Sequence, residues 1–270
     1  MSETLDILAP HQRPILAGFA LSNVLLAFDF DGTLAPIAAT PDAAQLRPKT
    51  QQLLARLSQR YPCVVISGRG LTDIESRVQE VPLWYVFGNH GFEPVNPEYP
   101  LNGRVAEWLR TLREQLPAVP GIVIEDKSHT LTIHYRAAED REGAAAAIHG
   151  ALQALDGARV VGGTEAINVM PHGVHKGVAL RRAMELFACS TAIYVGDDGT
   201  DEDAFGAVEP ERLLAIRVGM APEATRARFH LARQTDIDLL LRVLVDFRAT
   251  QFARRPHAAR RRSHHTDGLP

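Results

Sequence analysis

Two carboxylates stand two residues apart in Asp29-Phe30-Asp31-Gly32-Thr33, directly after the apolar run Val24–Phe28. In an open α/β sheet the ligand crevice lies beyond the carboxyl ends of the strands, so acids at i and i+2 there point together into it. Gly32 then lets the backbone turn. One such carboxylate can attack a phosphorus atom while the other handles the leaving-group proton.

Two more apolar runs end in polar groups. The strand expected over 62–67 leads into Ser67-Gly68-Arg69, where a hydroxyl and N–H groups at the start of a helix suit phosphoryl oxygens. The strand expected over 192–195 leads into Gly196-Asp197-Asp198-Gly199-Thr200-Asp201-Glu202-Asp203. Five acids in seven residues repel one another unless a cation neutralises them, and Asp197 and Asp201 match the hard oxygen ligands that Mg2+ prefers. Glu202 and Asp203 suit a solvated or capped helix start. Lys176, in His175-Lys176-Gly177, opens a helix, where the macrodipole disfavours a cation and an anion is wanted nearby.

Short apolar runs alternating with amphipathic stretches predict βαβ units and an α/β fold with a doubly wound, mainly parallel sheet. Strands are expected at 24–30, 62–67, 83–87, 192–195 and 213–218, with helices at 48–60, 71–78, 176–187, from about 200, and 237–247. Between the two halves the texture changes. Three prolines fall in 92–100, and two hairpin strands at 122–126 and 130–136 follow. The second alternates Leu131, Ile133, Tyr135 with Thr132, His134, Arg136, the pattern of a half-exposed strand. With a helix at 141–155 and strands at 159–161 and 166–170, this is an inserted α+β cap over 94–169. The core comprises 21–93 and 170–247, preceded by an N-terminal segment, 1–20, and followed by a basic tail, 248–270, read as disordered.

Composition excludes several classes. At 270 residues, 46% hydrophobic and 23% charged, the chain is neither fibrous nor disordered, and its two cysteines read as buried free thiols of a reducing, cytoplasmic compartment. No apolar run approaches the roughly 20 residues of a membrane helix. The tail holds six arginines against one acid, without interleaved aromatics, so neither nucleic acid nor membrane is expected as a partner.

These four pieces, taken in chain order, resemble the motifs of the haloacid dehalogenase superfamily. The chain is further similar to its trehalose-6-phosphate phosphatase family, on Gly88-Asn89-His90-Gly91, on Glu125-Asp126-Lys127 with His134-Tyr135-Arg136, and on the long acidic motif. That resemblance implies a Rossmann-type core and a Mg2+-dependent sugar-phosphate phosphatase. Asp29 would be nucleophile and Asp31 general acid/base. Thr33, Ser67, Gly68 and Lys176 would hold the phosphoryl group. Asp29, Asp31, Asp197 and Asp201 would form the metal set, with Asp198 as alternative to Asp201. Arg69, Asn89, His90, Gly91, Glu125, Lys127, Arg136 and Asn168 would meet the substrate, and a trehalose-phosphate synthase would be the functional partner. Other glycoside phosphates, such as sucrose or glucosylglycerol phosphate, and a non-catalytic sensor remain as alternatives. Asn168 departs from the acid frequent there, and Gly199 from a bulkier residue.

Overall fold

Fully apolar strands can only be covered on both faces, and the structure, a computed structural model, does so. It describes residues 4–38, 40–94, 103–116, 119–163, 165–219 and 225–253. In chain order the elements are β1 (Leu5–Asp6), α1 (Arg13–Leu21), β2 (Val24–Phe28), α2 (Pro48–Ser58), β3 (Cys63–Ile66), α3 (Leu71–Val78), β4 (Tyr85–Phe87), α4 (Arg104–Gln115), β5 (Val123–Asp126), β6 (Leu131–His134), α5 (Arg141–Leu152), β7 (Ala158–Gly163), β8 (Ala166–Pro171), α6 (Lys176–Leu186), β9 (Thr191–Gly196), α7 (Glu202–Phe205), β10 (Leu213–Val218), β11 (Phe229–Leu231) and α8 (Ile237–Ala253).

Seven parallel strands form the main sheet in the order β1-β11-β10-β9-β2-β3-β4. Alternate residues feed two layers. Leu26, Phe28, Cys63 and Val65 pack with Leu54, Leu57, Leu240 and Leu244 on one face. Leu25, Ala27, Val64 and Tyr194 pack with Ala179, Leu180 and Ala183 on the other. The chain leaves β2 toward β3 on one side, and β9 pairs with β2 on the other, so the strand order reverses at β2. That switch point is where a crevice opens.

A second, antiparallel sheet, β5-β6-β8-β7, falls between β4 and α6 in the chain. The alternation read in β6 holds. Leu131 and Ile133 are buried against Trp108, Leu112 and Ile148 of α4 and α5, whereas Thr132 and His134 lie on the opposite face.

Five elements go beyond the sequence reading. The N-terminal segment is part of the core: β1 pairs with β11, and Leu16 and Ala20 of α1 are buried in it. Pro10 and Pro14 mislead as breakers, because both sit in the first turns of helices, where no N–H is needed. β1 and β11 have two and three residues, too few for any periodicity. In α4, Val105, Trp108, Leu109 and Leu112 repeat at helical spacing, a signal present in the sequence. α8 runs to Ala253, six residues into the presumed tail, and the tail from 254 onward lies outside the described residues.

Candidate active site

The end of an apolar strand is where the backbone leaves the sheet and side chains reach the crevice. Asp29 follows β2, Ser67 follows β3 and Asp197 follows β9, three adjacent strands. Lys176, first residue of α6, is 2% exposed, and its Nζ donates to Asp29 Oδ1 at 2.8 Å and to Asp201 Oδ1 at 2.8 Å. The anion that a lysine needs at that helix end is thus supplied by two carboxylates. Gly32 has φ +79°, and a Cβ there would lie 2.1 Å from Asp197 Oδ2. Only glycine lets the first and last of these loops meet.

Carboxylate oxygens of Asp29, Asp197 and Asp201 lie within 4.8 Å of one another. Burial raises the Asp29 carboxyl well above the usual range, aided by Asp201 and Asp198 and opposed by Lys176. Burial, then Asp29, Asp198 and Asp201, does the same to Asp197. At Asp198 burial also acts upward, but Lys176 and the Thr200 hydrogen bond outweigh it and hold the carboxyl low. Four acids thus face one buried ammonium, a deficit that a divalent cation fits.

Asp201, expected among the ligands and part of that cluster, also holds its surroundings together. Besides Lys176, its Oδ1 accepts from the Tyr194 hydroxyl at 2.7 Å, and its Oδ2 accepts from the N–H groups of Asp197 at 2.9 Å and Asp198 at 3.0 Å. With all lone pairs taken, it braces the loop that carries the other acids. The carboxylate of Asp31, also expected in the metal set, is not among the clustered oxygens. Arg69 grips it in fork geometry, Nε to Oδ2 and Nη2 to Oδ1, both at 2.7 Å. Arg69 is itself held by Asp73 and the Pro41 carbonyl. Arg69, expected to meet substrate, thus also orients Asp31.

A cavity of about 710 Å3 lies between the two sheets. Asp29, Asp31, Gly68, Arg69, His90, Lys176 and Asp197 line it from the core, and Glu125, Lys127, Arg136 and Asn168 from the cap. Glu125, Thr132 and Asn168 are register partners across β5, β6 and β8. Thr132 donates to Asn168 Oδ1 at 2.9 Å, so the Asn168 amide nitrogen is left to donate. The Glu125 carboxyl is lowered: burial would raise it, but the hydrogen bond from His134, at 2.8 Å, and the charge of Lys127 prevail. Burial lowers the Lys127 ammonium, whose Nζ reaches the core carbonyl of Gly68 at 3.0 Å.

Thr33, Ser67, Asn89, Gly91 and Asp201 do not line this cavity. Thr33 donates to Asp197 Oδ1 at 3.2 Å. Ser67 Oγ accepts from the Arg69 N–H, leaving its own proton to donate. Gly91 lies under α6, where a Cβ would meet the Ala179 side chain at 2.5 Å. Sequence reasoning did not place His134 and Glu165 in the site. The alternation in β6 points to the first. Glu165, in the β7–β8 turn at φ +54°, binds Arg136 and Arg141 and carried no pattern.

The cap also reaches the acidic loop. Arg159 of β7 donates to both Asp203 oxygens at 2.7 Å, and a Cβ on Gly199 would lie 2.7 Å from the Gly162 carbonyl. The small residue at 199 thus admits the cap strand. Gly199→Val is expected to hold the cap off the core and raise KM about 10-fold with an unchanged fold, checked by steady-state kinetics and circular dichroism. An unchanged KM overturns this.

The trehalose-phosphatase family profile matches residues 27–235. A trehalose-phosphate phosphatase of Mycolicibacterium paratuberculosis is 39% identical over 207 residues, covering 71% of this chain and 53% of the relative. One of Mycobacterium marinum is 37% identical over 243 residues, covering 84% and 61%. The chain thus spans little more than half the length of these curated relatives. The C-terminal domain of the C. albicans trehalose-6-phosphate phosphatase shares the fold, with TM-score 0.76 at 22% identity over 91% of this chain and 99% of that one. The chain also shares its fold with a phosphatase of the HAD enzyme superfamily from Bacteroides thetaiotaomicron, with TM-score 0.59 at 16% identity over 85% of this chain and 96% of that one.

Proposed function

Because the chain belongs to the trehalose-phosphatase family, we propose that it hydrolyses trehalose 6-phosphate to trehalose and phosphate in a Mg2+-dependent reaction. The observation that carries this is the buried Asp29–Lys176 pair at the floor of a cavity whose roof carries Glu125, Lys127 and Asn168. A polyol needs such closely spaced donors and acceptors, and a phosphoryl group needs the floor.

Asp29 Oδ attacks phosphorus; the Asp29 O–P bond forms as the bond from phosphorus to the sugar oxygen breaks, and Asp31 delivers a proton to that oxygen. Asp31, ionised again, takes a proton from water that attacks the aspartyl phosphate and frees Asp29 and phosphate. Asp31 must leave Arg69 to carry the proton, so Arg69 holds the ionised form between steps. Ser67 and Lys176 donate to phosphoryl oxygens, and the cap excludes water until the sugar departs. When bound, Mg2+, held by Asp29 and Asp197 with Asp198 beside them, neutralises charge on the phosphoryl group. In this reading residues 94–169 form the moving cap, a trehalose-phosphate synthase supplies the substrate, and the enzyme works in the cytoplasm. No helix among the described residues is long and apolar enough to cross a membrane, and Cys63 and Cys189 are free and buried.

Phosphate release from a panel of sugar phosphates, with and without Mg2+, tests the proposal. Preference for trehalose 6-phosphate is expected; preference for another glycoside phosphate overturns the substrate and supports the second reading, which the amide at Asn168 favours. Asn168→Ala is expected to raise KM about 10-fold with kcat within about twofold, the loss of one neutral hydrogen bond. An unchanged KM removes Asn168 from the sugar site.

A further inference from the structure

Three consecutive residues, Asn89, His90 and Gly91, have φ of 48°, 58° and 97°. Left-handed backbone at a histidine is sparsely populated and persists only where the surroundings impose it. Here the core fixes the backbone, the Asn89 N–H donating to the Arg69 carbonyl at 2.7 Å and the His90 N–H to the Ser67 carbonyl at 2.9 Å, and the cap fixes the Asn89 side chain. The buried Asn89 side chain donates to the Lys127 carbonyl at 3.1 Å and to Glu93 Oε2 at 2.8 Å, and accepts from the Thr130 hydroxyl at 2.8 Å. Lys127 and Thr130 flank the β5–β6 turn, so a residue of the core is gripped by the cap.

The next residue faces the cavity. His90 is 3% exposed, and a Cβ on Gly68 would come within 2.6 Å of its Cε1, so the ring lies against the Gly68 backbone. Neither ring nitrogen has a hydrogen-bonding partner among the described residues. Buried polar atoms of that kind call for a partner. Burial, reinforced by Lys127 and Lys176, drives the imidazole down to about 3. The ring is therefore neutral, with one nitrogen to donate and one to accept.

We propose that His90 hydrogen-bonds the ester oxygen that departs with the sugar, and that Asn89, held by the cap turn, is the positioning residue that aims it. The inference rests on the chain's being a sugar-phosphate phosphatase. In-line displacement puts attacking and leaving oxygens on opposite sides of phosphorus. Asp29 would occupy one side; His90, against Gly68 on the wall of the cavity that Asp29 and Asp31 also line, would serve the other. Negative charge develops on that oxygen as the bond breaks, and a fixed N–H stabilises it without giving up its proton, which Asp31 supplies. The device ties chemistry to closure, because the contact is aimed only while the cap holds Asn89.

His90→Asn keeps a residue that tolerates left-handed backbone. Its kcat on trehalose 6-phosphate is expected to fall about 10- to 100-fold. On 4-nitrophenyl phosphate, whose leaving oxygen is already stable as an anion, it should fall less than about threefold, and inhibition by inorganic phosphate should be unchanged. Thr130→Val should repeat that selectivity at smaller size. Equal losses on both substrates, or no loss, overturn the inference. A second readout is independent of turnover: in Asp29→Asn protein with Mg2+, the His90 ring 15N resonances should shift with trehalose 6-phosphate and stay in place with inorganic phosphate. Binding of the sugar phosphate without that shift overturns the inference; failure of any sugar phosphate to bind overturns the function beneath it.

Discussion

Asp29→Asn is expected to lower phosphate release by about 10^4-fold or more at saturating Mg2+, the scale on which loss of an attacking group is felt. The amide matches the carboxylate in shape but cannot attack phosphorus, and no other acid follows β2 at that position. The fold should persist. Lys176 keeps Asp201 at 2.8 Å, and a repelling charge is removed from the cluster. The sign of the pH effect follows. Asp29 and Asp197 hold their protons more tightly folded than unfolded, so between the ordinary carboxylate value and their raised values the native state binds more protons, and metal-free stability falls as pH rises. Asp29→Asn should flatten that slope. Phosphate release, with thermal melting across pH in chelator, measures both. Comparable turnover by variant and parent overturns the nucleophile assignment.

Asp201→Ala is expected to cost about 3–5 kcal/mol of stability, because it removes one of the two carboxylates, Asp29 being the other, that hold the buried Lys176 ammonium. It also deprives the Tyr194 hydroxyl and two backbone N–H groups of their acceptor, at a residue with 0% exposure. Denaturant unfolding without metal gives the number. The companion pair Asp201→Asn and Asp197→Asn separates bracing from ligation. Asp201→Asn should retain most of its Mg2+ affinity, since the brace is only weakened, while Asp197→Asn should lose about 100-fold. Equal losses, with both proteins folded, would make Asp201 a direct ligand.

How far the chain could be read without coordinates follows from the elements. β2, β3 and β9 are buried on both faces, so they appear as plain apolar runs, and any acid or hydroxyl at their ends stands out. The cap face was legible through β6, because one side meets α4 and α5 and the other the cavity. β1 and β11 were not, being shorter than one period of any pattern, and α1 was hidden by prolines that are harmless where they sit.

The amino-acid order by itself determined which groups reach the crevice: Asp29, Lys176 and Asp197 lie at ends of elements whose apolar character leaves no other place for them. Only the tertiary structure decided what those groups and their neighbours hold. It turned Arg69 toward Asp31, gave Asn89 to the cap, made Asp201 a brace and set Gly199 against Gly162. The reason is that a carboxylate or amide has a fixed number of lone pairs and protons, and its remaining capacity can be counted only when every donor and acceptor around it is in place. Many of those partners arrive from afar: Lys176 and Asp29 are 147 residues apart. Spacing along the chain carries no trace of them.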